Sequence, residues 1–157
     1  MRCLIICKSE HNQNTLKVAN AMAKVLKAEV KAPTEVELNA CEEYDLVGLG
    51  SGIYHSRHHA SLFRLVQECR PSKHGGKVFI FSTSGMEERK HLNDFNKPLR
   101  DMLVAKGFDV VGTFSCRGYD NWGPFKLIGG ANKGRPNEAD LADAKGFAEG
   151  LLKESGK

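Results

Sequence analysis

Lys77-Val78-Phe79-Ile80-Phe81-Ser82 is the stretch that decides the fold. Its large apolar residues follow one another without polar alternation, which predicts a strand buried on both faces, the habit of parallel sheets covered by helices. Downstream, Leu92, Phe95, Leu99, Met102 and Leu103 recur on one face of a helix entered or kinked at Pro98, and Phe108–Ser115 reads as the next strand. Upstream, Asp45–Ser51 is a strand followed by the helical stripe Leu62, Phe63, Leu65, Val66 and Cys69. Arg2–Cys7 opens the chain as a strand. Asn14–Ala28 follows as a helix with Val18, Met22 and Leu26 on its inner face, and Glu29–Lys31 is a weaker strand ended before Pro33. The last helix starts after Pro136, where Asn137 caps it and Asp140 completes a capping box. Leu141, Ala144, Ala148 and Leu151 form its buried side. Five strand–helix alternations predict right-handed crossovers and one open, doubly wound α/β sheet with helices on both faces. Neither a linker nor a repeat divides the 157 residues, so 1–157 reads as a single domain.

Composition narrows the function classes. Hydrophobic content of 41% and charged content of 27% are those of an ordinary globular chain. No apolar run approaches the ~20 residues of a membrane span. The basic start Met1-Arg2 leads into a short apolar stretch without a small-residue cleavage site, unlike a secretory signal. Five scattered cysteines without CxxC spacing suit a reducing compartment better than a disulfide framework or a zinc site, and the expected location is cytoplasmic. The net charge of +4 is spread over the predicted helices, with no dense basic run interleaved with aromatics, which argues against nucleic acid.

In a sheet of this kind, ligands bind outside the carboxyl ends of the strands. The loop Lys8–Thr15 offers hydroxyls from Ser9 and Thr15. Its Asn12 and Asn14 tolerate left-handed backbone, so that amides converge on an anion at a helix amino terminus. It is neither GxGxxG nor GK[ST], which argues against a dinucleotide or a P-loop. The same residues also read as a polar turn with Asn14 as helix cap. Gly50–His59 pairs glycines that admit a planar ligand with Tyr54, a ring to stack on it, although both also suit a simple turn. His55, His58 and His59 lack a companion carboxylate or cysteine at metal spacing, and read as surface or helix-start residues. Ser82-Thr83-Ser84-Gly85-Met86 and Cys116–Gly123, with Tyr119 and the single Trp122, complete four loops around one crevice. Their convergence favours a planar, phosphate-bearing ligand. There is no GxSxG elbow, and strand ends at Lys8 and Ser51 lack the acids of a phospho-receiver domain.

The order of these pieces resembles a known family. Leu4-Ile5-Ile6-Cys7-Lys8-Ser9 followed by Asn14-Thr15-Leu16-Lys17-Val18-Ala19 resembles the phosphate loop and first helix of flavodoxins. Asp45–Tyr54 resembles their next flavin loop, and Lys77–Gly85 and Lys106–Gly112 their fourth and fifth strand regions. Cys116–Gly130, with Gly134-Arg135-Pro136-Asn137, resembles the tail of short-chain flavodoxin-like proteins. The resemblance implies a three-layer sandwich whose five-stranded parallel sheet has the order 2-1-3-4-5, forming one FMN-binding domain. It implies FMN phosphate on Ser9, His11, Asn12, Gln13, Asn14 and Thr15. The ring is implied between Gly52, Ile53, Tyr54 and His55 on one side and Ser82, Thr83, Ser84 and Gly85 on the other, closed by Gly118 and Trp122. Two departures stand out: Asn12-Gln13 occupies the place of the usual glycine, and the chain is basic where familiar flavodoxins are acidic. The implied function is electron transfer between transient redox protein partners, with no catalytic acid or base. The rival is an FMN-dependent oxidoreductase of the NAD(P)H:quinone reductase or protoporphyrinogen-oxidase type.

Overall fold

The computed structural model of the chain describes residues 1–73, 75–86, 93–120, 127 and 129–156. In chain order these residues form β1 (Cys3–Lys8), α1 (Asn14–Leu26), β2 (Glu29–Lys31), a single 3-10 turn at Pro33–Glu35, and α2 (Ala40–Glu43). Then come β3 (Leu46–Tyr54), β4 (Arg57–His58), α3 (Ala60–Glu68), β5 (Lys77–Ser84), α4 (Lys97–Ala105), β6 (Asp109–Arg117) and α5 (Glu138–Ser155). The parallel strands lie in the order β2-β1-β3-β5-β6, which is 2-1-3-4-5 when only these five are counted. The order reverses between β1 and β3, and this switch point opens a crevice at their carboxyl ends.

Both faces of the sheet are covered, which is why the strands carry no polar alternation. Leu4, Ile6, Val47, Leu49, Val78 and Ile80 pack under α2, α3 and α4 with Leu62, Leu65, Leu99 and Leu103. Cys3, Ile5, Cys7, Phe79 and Phe81 face the other way, against Val18 and Met22 of α1 and Ala144, Ala148 and Leu151 of α5. The glycines of β3 are there for the phenylalanines of β5. A Cβ on Gly48 would lie 2.3 Å from the Phe79 ring, and one on Gly50 would lie 2.2 Å from Phe81. Burial of each ring is worth about 2–3 kcal/mol, and glycine is the residue that leaves room for it.

Several local expectations need correction. α4 begins at Lys97 with Pro98 in its first turn, so the chain enters the helix there, and Phe95 belongs to the turn ahead of it rather than to the helix. Proline suits that position because its missing N–H has no intrahelical acceptor. Leu92 lies outside the described residues. Gly52–Tyr54 and Thr83–Ser84 continue strands rather than forming loops. The short β4 pairs antiparallel with β3, a sixth strand that the sequence hid. Its two-residue turn, His55-Ser56, takes left-handed backbone at both positions, φ 50 and 63. Such turns usually advertise themselves as Asn-Gly, and this one does not. The capping box of α5 forms as the sequence indicates, Asp140 N–H donating to Asn137 Oδ1 at 2.9 Å and Asn137 N–H to Asp140 Oδ2 at 2.7 Å.

Candidate functional site

A cleft of about 430 Å³ opens at the carboxyl ends of β1, β3 and β5, between the amino end of α1 and the turn that joins β3 to β4. Its floor begins with the turn after β1. Asn12 and Gln13 both adopt φ 55, so the chain enters α1 without a glycine. Gln13, the residue capping α1, contributes no side-chain hydrogen bond to it. The Leu16 amide donates to Ser9 Oγ at 3.3 Å and the Lys17 amide to the Gln13 carbonyl at 3.1 Å. Asn14 and Thr15 occupy the first turn, where no intrahelical carbonyl reaches an N–H, and both line the cleft. The Thr15 hydroxyl lies 2.8 Å from that of Thr83, which ties α1 to the opposite wall.

The asparagine side chains also tie the turn down. Asn12 and Asn14 both donate their amide hydrogens to the Tyr119 carbonyl, at 3.1 and 2.8 Å, and so fasten the turn to the segment after β6. Gly118 permits this approach, since a Cβ there would stand 2.6 Å from Asn14 Nδ2. Asn14 Oδ1 is buried with no hydrogen-bond partner among the described residues. Asn132 performs the same service on the far side, donating to the Gly85 carbonyl at 2.8 Å.

Tyr54 forms the wall at the end of β3. Its ring meets His59 edge-on at 5.4 Å, and burial, reinforced by the Glu10 carboxylate, pushes its phenol up to about 12. His59 caps α3: its Nδ1 accepts from the Ser61 amide at 3.1 Å, while Nε2 stands 3.4 Å from Glu10. Glu10 is also 3.3 Å from Lys8. The described lining of the cleft contains Glu10 and Asp120 and no lysine or arginine.

Behind this wall runs a chain of buried polar groups. Ser51 Oγ is 2.8 Å from His58 Nδ1, and His58 Nε2 is 2.7 Å from Asn96 Oδ1. Asn96 Nδ2 donates to Ser115 Oγ at 2.9 Å, which in turn is 2.9 Å from Ser82 Oγ. His58 is 2% exposed, and burial lowers its pKa to about 4, against the opposing effect of the Asn96 hydrogen bond. His59 sits at a helix start as expected, but His58 is a core residue. Among the described residues, no group of three or more His, Cys, Asp or Glu is placed to hold a metal.

Of the residues that the sequence singled out, Ser9, His11, Asn14, Thr15, Gly52, Ile53, Tyr54, His55, Thr83, Ser84, Gly85 and Gly118 line the cleft. Asn12 and Gln13 shape its turn without lining it. Ser82 belongs behind the wall, because strand alternation turns its side chain to Ser115 while Thr83 faces Thr15. Trp122 lies outside the described residues. Met86 and Tyr119, named with their loops, line the cleft too, and so do Glu10, Ser56, Phe95 and Asp120, which were not singled out. Phe95 carried only the signal of a core helix position. A second cavity of about 700 Å³ shares Ser84, Met86 and Phe95 with the first and extends over β6. There Arg135 pairs with Asp140 and Arg100 with Asp94.

Comparison with known proteins agrees with this architecture. The model of a family described as "Flavodoxin domain" matches residues 4–117. An uncharacterized protein of Methanocaldococcus jannaschii is 46% identical over 153 residues, covering 98% of this chain and 99% of that one. A flavodoxin from the domain Archaea superposes with a TM-score of 0.72 at 14% identity, over 100% of both chains. Flavodoxin 2 of Bacillus cereus gives a TM-score of 0.71 at 15% identity, covering 98% of this chain and 99% of that one. With its matched strands, its sheet order and its cleft at the switch point, the chain belongs to the flavodoxin domain family.

Proposed function

We propose that the protein binds FMN in this cleft and passes electrons between transient redox protein partners. The observation that carries the reading is the start of α1: its cap residue Gln13 gives it no side-chain hydrogen bond, and Asn14 and Thr15, in the first turn where amides have no intrahelical acceptor, line a cleft at the switch point. A helix amino terminus with unclaimed amides holds a phosphate through hydrogen bonds and its partial positive charge. The Thr15–Thr83 pair adds to this. When Thr83 donates to Thr15, the Thr15 proton is left for the phosphate. Ser9 is engaged with Leu16 and keeps its own hydroxyl proton for the same use.

Gly52, Tyr54 and Gly85 line the cleft, and glycines beside an aromatic ring suit a flat ring system. The ring supplies the redox chemistry when bound, and the protein sets its potential. Met86, 60% exposed at the rim, is suited to a brief contact with a partner.

The second cavity favours one other reading, an FMN-dependent oxidoreductase in which a small substrate reaches the flavin past Ser84, Met86 and Phe95. NAD(P)H:quinone reduction and protoporphyrinogen oxidation are the reactions of that type. Anaerobic mixing of the FMN-loaded protein with NADPH separates the two. A carrier stays yellow until a separate reductase is added, whereas rapid bleaching by NADPH alone establishes the enzyme. Protein that gains no flavin absorbance after incubation with FMN rejects both.

A further inference from the structure

Cys41 and Cys69 lie away from the cleft and take no part in the proposed function. Cys41 belongs to α2, and Cys69 directly follows the last residue of α3. Both are buried in the core on that side of the sheet, at 3% and 0% exposure. Their sulfurs are 2.8 Å apart, with the Cys41 thiol donating to Cys69. A covalent S–S bond is ~2.05 Å long, so closure requires the sulfurs to approach by only about 0.8 Å.

The surroundings divide the roles of the two thiols. The hydrogen bond from Cys41 lowers the Cys69 pKa, against the burial that raises it, and the Lys106 ammonium works in the same direction as the hydrogen bond. Lys106 is held there by its hydrogen bond to the Gln67 carbonyl at the end of α3. The same hydrogen bond, together with burial, raises Cys41. Lys106, tied to α3 and so left in place when α2 opens, makes Cys69 the attacking sulfur and Cys41 the resolving thiol. Access comes through α2, four residues long and preceded by Leu38 at 61% exposure. An isolated turn of helix opens at low cost.

We propose that Cys41 and Cys69 form a dithiol site that a small-molecule disulfide oxidises to an intramolecular disulfide. The Cys69 thiolate attacks one sulfur of the oxidant, whose S–S bond breaks and releases a thiolate. That thiolate takes the Cys41 proton. Cys41 then attacks Cys69 Sγ and expels the second half of the oxidant, which leaves as a thiol once it has taken up the proton first lost by Cys69. Two protein thiols lose two electrons and two protons, and one disulfide becomes two thiols. In a reducing compartment the site rests as the dithiol. Once closed, the bond spans residues 42–68 and so encloses β3, β4 and the Gly52–His59 wall of the cleft. Loop closure on this scale restrains the unfolded chain and raises the melting temperature.

The test is exposure of the full chain to oxidised glutathione, followed by unfolding in denaturant with iodoacetamide and mass analysis. Of the five cysteines, three are expected to be alkylated, with a non-reducing digest joining the Cys41 peptide to the Cys69 peptide. Dithiothreitol is expected to restore alkylation of all five. The oxidised protein should melt on the order of 10 °C above the reduced form. Cys41→Ser and Cys69→Ser should abolish both the cross-link and the shift, and Cys116→Ser should retain both. Alkylation at all five sites after oxidation, a glutathione adduct that persists on Cys69, or a cross-link between other cysteines overturns the proposal. None of these readouts depends on a bound flavin.

Discussion

His58 makes the stability of this protein fall with acid in a way that one substitution should remove. The imidazole is 2% exposed between Ser51 and Asn96, neither of which carries charge, and its pKa in the folded protein is lowered to about 4. In the unfolded chain it returns to the ordinary value of 6.5. Between these values the unfolded chain binds a proton that the folded protein refuses. The stability tied to neutral His58 is therefore fully present above pH 6.5 and is lost as the pH falls toward 4. With the two pKa values inserted, linkage gives a loss of about 2 kcal/mol between pH 8 and pH 5. Urea unfolding of wild type and His58→Gln at both pH values measures it. The variant starts lower, because the imidazole's packing is lost, but its decline over that interval should be smaller by about 2 kcal/mol. The other histidines and the carboxylates are common to both proteins and cancel. Parallel declines would refute the reasoning, since they would mean that His58 titrates alike in the folded and unfolded states.

Other outcomes follow from the site and the core. Thr15→Val should weaken FMN binding by roughly 1–3 kcal/mol in a fluorescence titration, because the buried hydroxyl that the proposal assigns to the phosphate is lost; unchanged affinity would remove Thr15 from the site. Ser56→Gly should raise stability to urea by up to about 1 kcal/mol, because it relieves a left-handed backbone position (φ 63) that serine adopts at a cost. Phe81→Ala should cost about 3–5 kcal/mol in the same assay, through the lost ring and the space left above Gly50. Gly50→Val should be comparably harmful, because its side chain enters the volume of the Phe81 ring.

The fold was legible because its strands are buried twice over. Runs such as Val78–Phe81 admit one explanation, and the sheet order follows from the right-handed crossovers and the family resemblance together. The cleft was legible at the level of loops and less so at the level of side chains. Strand alternation sends Thr83 to the cleft and Ser82 behind it, and that choice depends on a pleat that the sequence does not phase. The sequence offers Asn12 and Asn14 for a turn whose amides face an anion, and it does not show that their side chains secure Tyr119, a partner more than a hundred residues away in the chain. His58 was hidden for a similar reason: Ser51 reaches it across the unadvertised β3–β4 turn and Asn96 comes from a distant segment, so no local spacing announces a buried imidazole. The β4 turn lacked its signal because His55 and Ser56 hold conformations usually given to asparagine and glycine.

The central claim is that amides at the start of α1 grip a phosphate while the cleft walls hold a flat ring. Parallel fluorescence titrations with FMN and with riboflavin, which differ by that phosphate alone, test it most directly. The account predicts that both flavins are quenched and that FMN binds at least about tenfold more tightly, the equivalent of 1.4 kcal/mol or more from the phosphate. Equal affinities, or no quenching by FMN, would contradict it.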